Sequence, residues 1–346
     1  MPGPGDPGTG PGPAREDRML AYTVRRILVS IPVLIVSTFI VFLVVVNAGD
    51  PVANFATSRQ PRPSPAAIQA FARHIHANEP AVQRYWNWIT GVLHGDWGPS
   101  VQPNLDIGHD LFTRFRVTLT LVAAAMLIAL VLAVVFGVFS AIRQYTAADY
   151  TITFFGFLFL AMPVFWFAVL LKQAGIWFNE QTGSQFLGTI GEKSPYLEVD
   201  TTWNEFTDRI GHLALPTITL ALVSFASWTR YTRASMLEVL NSDYVRLARA
   251  KGLRRRTVMV RHALRTALIP LATVTALDIA IILGGAVITE TIFQWHGMGE
   301  MLVESAATVD VYRTMAWLLL SAVVVIGFNL LADLLYAVLD PRIRYD

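Results

Sequence analysis

The chain has 346 residues, of which 54% are hydrophobic and only 15% are charged, and its formal net charge is +2. A mean hydropathy of +0.48, together with apolar runs longer than a globular interior needs, argues against a water-soluble protein. Because the sequence contains no cysteine, disulfides and thiolate metal sites are excluded.

The N-terminal stretch MPGPGDPGTGPGPARED is rich in Gly and Pro and has no apolar side chains to bury. It predicts a disordered tail over residues 1–20. The apolar run that follows is longer than the core of a signal peptide, which has about 7–15 residues. We therefore expect it to be retained, as part of a first transmembrane helix at residues 21–50.

Six apolar segments have about the length that a membrane-spanning helix requires, which is roughly 20 residues. The fourth is short and begins near Pro216, and Pro163 predicts a kink in the third. The sequence therefore predicts an all-α integral membrane protein with six transmembrane helices. The segments are residues 27–46, 117–139, 151–171, 213–228, 267–289 and 315–339.

The long loop after the first span, residues 51–112, is expected to be helical. Ser64 and Pro65 form an N-cap followed by proline at the first helical position. A second helix is predicted after Pro80, ending at Gly95. We interpret the loop as a collar at the membrane interface, with direct contact to a docking partner as the alternative. The face predicted for the second helix contains Val82, Tyr85, Trp86, Ile89 and Leu93.

Basic residues are unevenly distributed among the loops. Residues 230–265 contain ten Lys and Arg against two acids, whereas the loops after spans three and five contain more acids than bases. The positive-inside rule therefore predicts that both termini and residues 230–265 are cytoplasmic. The whole segment between spans one and two, residues 47–116, has six Arg, but loops longer than about 60 residues largely escape the rule.

The basic stretch 242–270 is predicted to form two helical pieces separated at Lys251-Gly252. An arginine stripe and an apolar face make the second piece amphipathic. A loop that only enforces topology and contacts anionic lipid would explain the charge as well. Nucleic acid is disfavoured as a partner, because aromatic stacking residues are lacking. The stripe is Arg254, Arg261 and Arg265; the apolar face is Leu253, Val260, Leu264 and Leu268.

Several motifs occur in a characteristic order: GDWGPS, MPVFW, RASMLEVL, DYVRLARAKGL, LGGAVITETIFQWHGMGEML and NLLADLLYAVLDPRIRY. Together they resemble the dipeptide and oligopeptide permeases of ABC importers, in particular the first permease of the pair. That superfamily begins its cytoplasmic loop with Glu-Ala-Ala. Here Ala248 and Gly252 keep the register, but Arg246 stands where the Glu would be.

The resemblance implies the type I importer fold and a bacterial inner-membrane location. It implies four kinds of partner: a second homologous permease, two ATPase subunits, an external substrate-binding protein and membrane lipid. The chain has no Gly-x4-Gly-Lys-Ser/Thr phosphate loop, so it is expected to be no enzyme and to bind no cofactor, with ATP and Mg on the ATPase subunits. The implied ATPase-coupling residues are Asp243, Tyr244, Arg246, Ala248, Lys251, Gly252, Leu253, Arg254 and Arg255.

Asp278 lies within the fifth span, where a carboxylate is costly and generally faces a cavity or another polar group. We consider two roles: lining the translocation pathway together with Gly284 and Gly285, or joining two helices. Asp333 is interpreted as structural. His74 and His76 would point apart on a helix, which disfavours a shared metal.

Two other functions fit parts of the sequence. An ion-coupled secondary transporter would use Asp278 as its proton site, but no inverted repeat is evident. A membrane-anchored scaffold would explain the basic loop but not the ordered motifs. The substrate is left open among dipeptides, oligopeptides, glutathione, metal chelates and sugars.

Overall fold

The computed structural model of the chain describes residues 15–57, 61–194 and 202–339. Within these residues it contains fourteen α-helices and one π-helix and no strand, which confirms the all-α class. The first seven helices are α1 (Arg15–Ala48), α2 (Pro51–Thr57), α3 (Pro65–His74), α4 (Ala81–Val92), α5 (Ile107–Ile142), α6 (Ala147–Ala161) and α7 (Val164–Thr182). The others are α8 (Thr202–Leu240), α9 (Asp243–Ala250), α10 (Arg255–Thr257), the π-helix Val258–Leu264, α11 (Arg265–Leu277), α12 (Ile279–Phe293), α13 (Met298–Thr308) and α14 (Val311–Leu339).

Four predicted spans are confirmed as long helices with apolar segments sufficient to cross a membrane, namely those in α1, α5, α8 and α14. α8 is much longer than the predicted 213–228 and continues through Pro216. A proline is tolerated in such a helix where neighbouring groups satisfy the freed carbonyl. The flanks of α8 on both sides of the apolar segment are helical too, and His212, Thr232 and Met236 within them are buried.

The third predicted span is two helices, not one. α6 and α7 meet at an angle of 108° on either side of Met162-Pro163. Met162 has extended backbone (φ −80°, ψ 129°), as expected for a residue that precedes proline. The kink predicted at Pro163 is therefore a complete break.

The fifth predicted span is also divided. α11 ends at Leu277 and α12 begins at Ile279, with a bend of 42° between them. Asp278 lies at the break with ψ of −7°, so its backbone leaves the regular helical path. If each bent pair counts as one span, the six-span arrangement is retained.

The predicted N-terminal tail is wrong for residues 15–20, which belong to α1. Glu16 and Asp17 fall in the first turn of that helix, where negative charge is favourable to the helix dipole. Residues 1–14 lie outside the described residues, as do Arg342 and Arg344 of the C-terminal tail.

Three clusters of buried apolar side chains follow one another along α5, which packs lengthwise against α8. Leu111, Ala129 and Ala141 of α5 belong to the three clusters in turn. Tyr85 of α4 is in the first cluster and Val245 of α9 is in the third. We therefore call the two ends of the bundle the α4 end and the α9 end.

The loop after α1 is helical as predicted, and Ser64 caps α3 by accepting from the Ala67 N–H at 3.2 Å. The predicted face of α4 is partly wrong. Tyr85 is fully buried, but Trp86 is exposed and Trp88 is buried instead. The reason is that Tyr85 turns towards α1, where its hydroxyl donates to the Ile35 carbonyl, while the Trp88 indole donates to the Trp97 carbonyl.

Candidate coupling site

α9 is a two-turn helix with an inner and an outer face. Val245 and Ala248 are buried against the cluster at the α9 end. Tyr244 and Leu247 lie on the other face and are 44% and 56% exposed. α9 follows α8 after only Asn241 and Ser242, so it is attached to the longest helix of the bundle. The arrangement presents one aromatic and one aliphatic side chain to a partner.

The predicted break at Lys251-Gly252 is confirmed. Gly252 has φ of +75°, a region that favours glycine. Its N–H donates to the Arg249 carbonyl and the Lys251 N–H to the Leu247 carbonyl, both at 3.0 Å. A Cβ at Gly252 would have no atom within 4 Å, so backbone conformation alone requires the glycine.

Most of the predicted coupling residues share one exposed surface. Asp243 and Arg246 approach to 3.7 Å, but both are highly exposed, so the pair contributes little stability. Ala248 faces inward, and the side chain of Arg255 lies outside the described residues. We define the coupling surface as Asp243, Tyr244, Arg246, Leu247, Lys251, Gly252, Leu253 and Arg254.

The predicted apolar face after Gly252 is partly wrong, because the chain forms a π-helix there. The three arginines of the stripe are exposed as predicted, but so are Leu253 and Val260. Since a π-helix bonds residue i to i+5, it widens the spacing of buried positions. The buried side chains are Val258, Ala263 and Ala267.

A cavity of about 230 Å³ lies behind the coupling surface. It separates the C-terminal ends of α5 and α8 from α9 and the π-helix. Beside this cavity, Val245 and Ala248 of α9 are buried in one cluster with Val258 of the π-helix. Its lining includes Ala141, Leu237, Leu240, Asn241, Arg249 and Val258.

Asp278 is half-buried and accepts a hydrogen bond from the Trp228 indole N–H at 2.7 Å. This contact joins the α11–α12 break to α8. Gly284 is exposed, and a Cβ there would meet no atom within 4 Å, so Gly284 allows no close helix approach within this chain. Gly285 is helical, and its surroundings lie outside what the structure describes.

A buried ion pair near the α9 end was not singled out from the sequence. Arg233 of α8 donates from Nε and Nη2 to the two carboxylate oxygens of Asp149, each at 2.8 Å. The Ser140 hydroxyl of α5 and the Tyr145 N–H also donate to Asp149. The side chain of Asp149 is only 4% exposed. In the sequence, the signal that could have indicated this pair was the presence of charged residues at the edges of predicted spans.

A larger ionic cluster holds the α4 end together, and it too was missed. Arg114 of α5 pairs with Asp110, Glu300 and Glu304, and Arg313 pairs with Asp110 and Glu304. These contacts join α5, α13 and α14. In the sequence, the i, i+4 spacing of Asp110 and Arg114 was the signal that could have indicated part of this cluster.

Two further carboxylates at this end are buried. Glu290 accepts from the Thr118 hydroxyl and from the Gly299 N–H at 2.6 Å, so it ties α12 to α5 and α13. Burial raises the pKa of the Asp310 carboxyl, although the Ser100 hydroxyl donates to it. Both groups satisfy neighbouring backbone or side-chain donors and are structural.

The interpretation of Asp333 as structural agrees with its position 2.8 Å from Arg26, a contact that joins α14 to α1. His76 lies beyond the end of α3 and pairs with Glu79 at 2.7 Å. Among the described residues, no group of three potential metal ligands comes together.

Residues 133–345 match the family described as binding-protein-dependent transport system inner membrane component. Residues 19–103 match the family described as the N-terminal part of the membrane component of such systems.

Similar proteins include the oligopeptide transport system permease protein OppB of Mycobacterium tuberculosis, 39% identical over 94% of this chain and 99% of the relative. AppB of Bacillus subtilis, also an oligopeptide transport system permease protein, is 40% identical over 94% of this chain and 100% of its own length. The dipeptide transport system permease protein DppB of Escherichia coli K12 is 36% identical over 94% and 99%. The resemblance drawn from the motifs is confirmed.

Proposed function

The chain belongs to the family of binding-protein-dependent transport system inner membrane components, and we propose that it forms half of the translocation pathway of an ATP-driven peptide importer. The proposal rests on the coupling surface. It is a short exposed helix attached to α8, and its outer face bears Tyr244 and Leu247. Peptide is the proposed cargo because the relatives named above are oligopeptide and dipeptide permeases.

The proposed assembly contains a second homologous permease, two ATPase subunits and an external substrate-binding protein. ATP and Mg are assigned to the ATPase subunits, since the sequence has no phosphate-binding loop. The coupling surface is suited to a groove on an ATPase subunit, because its apolar centre is surrounded by exposed Arg246, Lys251 and Arg254. Charged rims of this kind set orientation and association rate.

We propose that both termini and the coupling surface are cytoplasmic. The basic residues of the 230–265 segment support this orientation. The Arg26–Asp333 pair supports it as well, because it places the start of α1 and the end of α14 at one end of the bundle. That end is the α9 end, since Phe42 of α1 and Met315 of α14 both lie in the cluster at the α4 end.

We assign Asp278 to the translocation pathway as a proposal. Its carboxylate is half-buried, so one side of it is accessible. Its hydrogen bond to Trp228 also supports the alternative role of joining α8 to the α11–α12 break. Gly284 and Gly285 are proposed to line the same region.

The proposal is tested by expressing the chain with its candidate partners and reconstituting the purified complex in vesicles. We expect the two ATPase chains to co-purify, and we expect peptide uptake that requires ATP and the binding protein. A chain that transports peptide alone on an ion gradient would support a secondary transporter instead. A chain that never associates with ATPases would support the scaffold.

A further inference from the structure

The ion pair between Arg233 and Asp149 joins three helices at one point. Asp149 lies in the first turn of α6, Arg233 lies two turns before the end of α8, and Ser140 lies in the last turn of α5. All three side chains contact one another. We call this group the clamp: Ser140, Asp149 and Arg233.

The clamp is firm because the carboxylate of Asp149 accepts as many hydrogen bonds as its two oxygens allow. Both oxygens accept from Arg233, and each accepts from one further donor, the Ser140 hydroxyl or the Tyr145 N–H. A bidentate arginine–carboxylate pair fixes geometry as well as charge. The side chain of Arg233 is 28% exposed, so the pair is only partly desolvated, and its distinctive contribution is the fixed geometry among three helices.

The position of the clamp relates it to the coupling surface. From Arg233, α8 runs for about 10 Å to Leu240 and then leads directly to α9. On its other side α9 adjoins the 230 Å³ cavity and the π-helix. A displacement of α9 therefore reaches the bundle by two routes, along the chain into α8 and through the packing of Val245 and Ala248 against Val258 of the π-helix.

We propose that Arg233 and Asp149 are positioning residues for energy coupling, which make α5, α6 and α8 respond as one block when α9 is displaced. α5 then carries the displacement along the bundle to the α4 end, and α6 carries it to the break at Pro163. Because α5 already packs lengthwise against α8, loss of the clamp would mainly free α6, and the movement would then be absorbed in the short loop between α5 and α6. The inference rests on the proposed docking of an ATPase at the coupling surface.

The test compares Asp149→Asn, Arg233→Gln and the double variant carrying both. Each single variant leaves one buried group without its partner and destabilises the chain, whereas the double variant leaves no uncompensated charge. Glu205→Gln is the matched control, because it removes a carboxylate from an exposed ion pair with Arg209 on the same helix. The measurements are complex assembly, ATP hydrolysis and peptide uptake in the same vesicles.

We expect the double variant to assemble and hydrolyse ATP, but its uptake per ATP hydrolysed should fall by roughly tenfold, within the roughly 5- to 150-fold range of coupling between distant sites. Arg233→Lys keeps the charge but loses the bidentate contact, so it should show a smaller loss. The control should match the wild type. Wild-type uptake per ATP in the double variant would overturn the inference.

If the double variant does not assemble, Arg233→Lys decides. Reduced uptake per ATP in that variant supports the clamp as a coupling element. A wild-type ratio of uptake to ATP hydrolysis would show that the clamp only stabilises the structure. Failure of the proposed function would look different, because the wild-type complex itself would then show no ATP-dependent uptake. A label pair at Tyr150 of α6 and Ala250 of α9, both exposed and both outside the coupling surface, should keep a constant distance on ATP binding only while the clamp is intact.

Discussion

Replacing Gly252 by Val should lower both substrate-stimulated ATP hydrolysis and peptide uptake. Gly252 has φ of +75°, and a Cβ there meets no atom within 4 Å. The added Cβ therefore causes no steric overlap, and the cost considered is that of a left-handed backbone in a residue with a Cβ. That cost is about 1–2 kcal/mol. If the turn opens to relieve it, the population with an intact coupling surface falls by roughly 5- to 30-fold.

The assay compares substrate-stimulated ATP hydrolysis with peptide uptake in reconstituted vesicles. Gly252→Val should insert and pair with the second permease, because Val245 and Ala248 still hold α9 against the bundle. Its stimulated hydrolysis and uptake should both fall. Gly252→Asn should remain close to the wild type, because Asn adopts this backbone region more readily than other residues.

Gly183→Val is the matched control for backbone strain. Gly183 has φ of +64° and equally open surroundings, but it ends α7 and does not belong to the coupling surface. If both valine variants lose uptake to the same degree, general destabilisation is the cause. If Gly252→Val couples like the wild type, the turn is not needed for coupling and the reasoning is refuted.

Three further predictions concern topology, docking and the pathway. A cysteine introduced at Ser242 should be protected from an impermeant reagent in intact cells. A cysteine at Leu93, which is highly exposed, should react. The reverse labelling pattern would contradict the proposed topology. Changing Arg254 and Arg255 to Glu should weaken ATPase co-purification, because charge inversion at a docking rim causes repulsion; unchanged association would place docking elsewhere. Asp278→Asn keeps an oxygen that can accept from an indole, so assembly should persist while uptake or its pH dependence changes; loss of assembly instead would favour the helix-joining role.

The parts of the fold that the sequence predicted depend on local signals. Apolar length identified the spans, and Ser64 followed by Pro65 identified the start of α3. The turn at Gly252 was predictable because a glycine follows a short amphipathic stretch. In each case the determining atoms lie within a few residues of one another.

The parts that could not be predicted depend on contacts between residues that are far apart in the sequence. Arg233 and Asp149 are 84 positions apart, and Thr118 and Glu290 are 172 apart, so no local pattern pairs them. The π-helix is another example, since its sequence is compatible with a regular α-helix. It forms where Val258 and Ala263 must both face the cluster at the α9 end.

The two halves of each broken span are held by different contacts, and this difference predicts where the bundle bends. Lys172 of α7 donates to the carbonyl of Ile292 in α12 at 2.7 Å, so the second halves of the two broken spans are tied together. Glu290 ties α12 in turn to α5 and α13. The first halves, α6 and α11, lie towards the α9 end and join the second halves at Pro163 and Asp278, with a further contact between the rings of Phe159 and Phe167 beside Pro163. We therefore expect distances between α6 and α7 to change on ATP binding while those between α7 and α12 stay constant, as measured with spin-label pairs. Constant α6–α7 distances would place the bend elsewhere, because a rigid corner at Pro163 cannot absorb a movement that begins at the coupling surface.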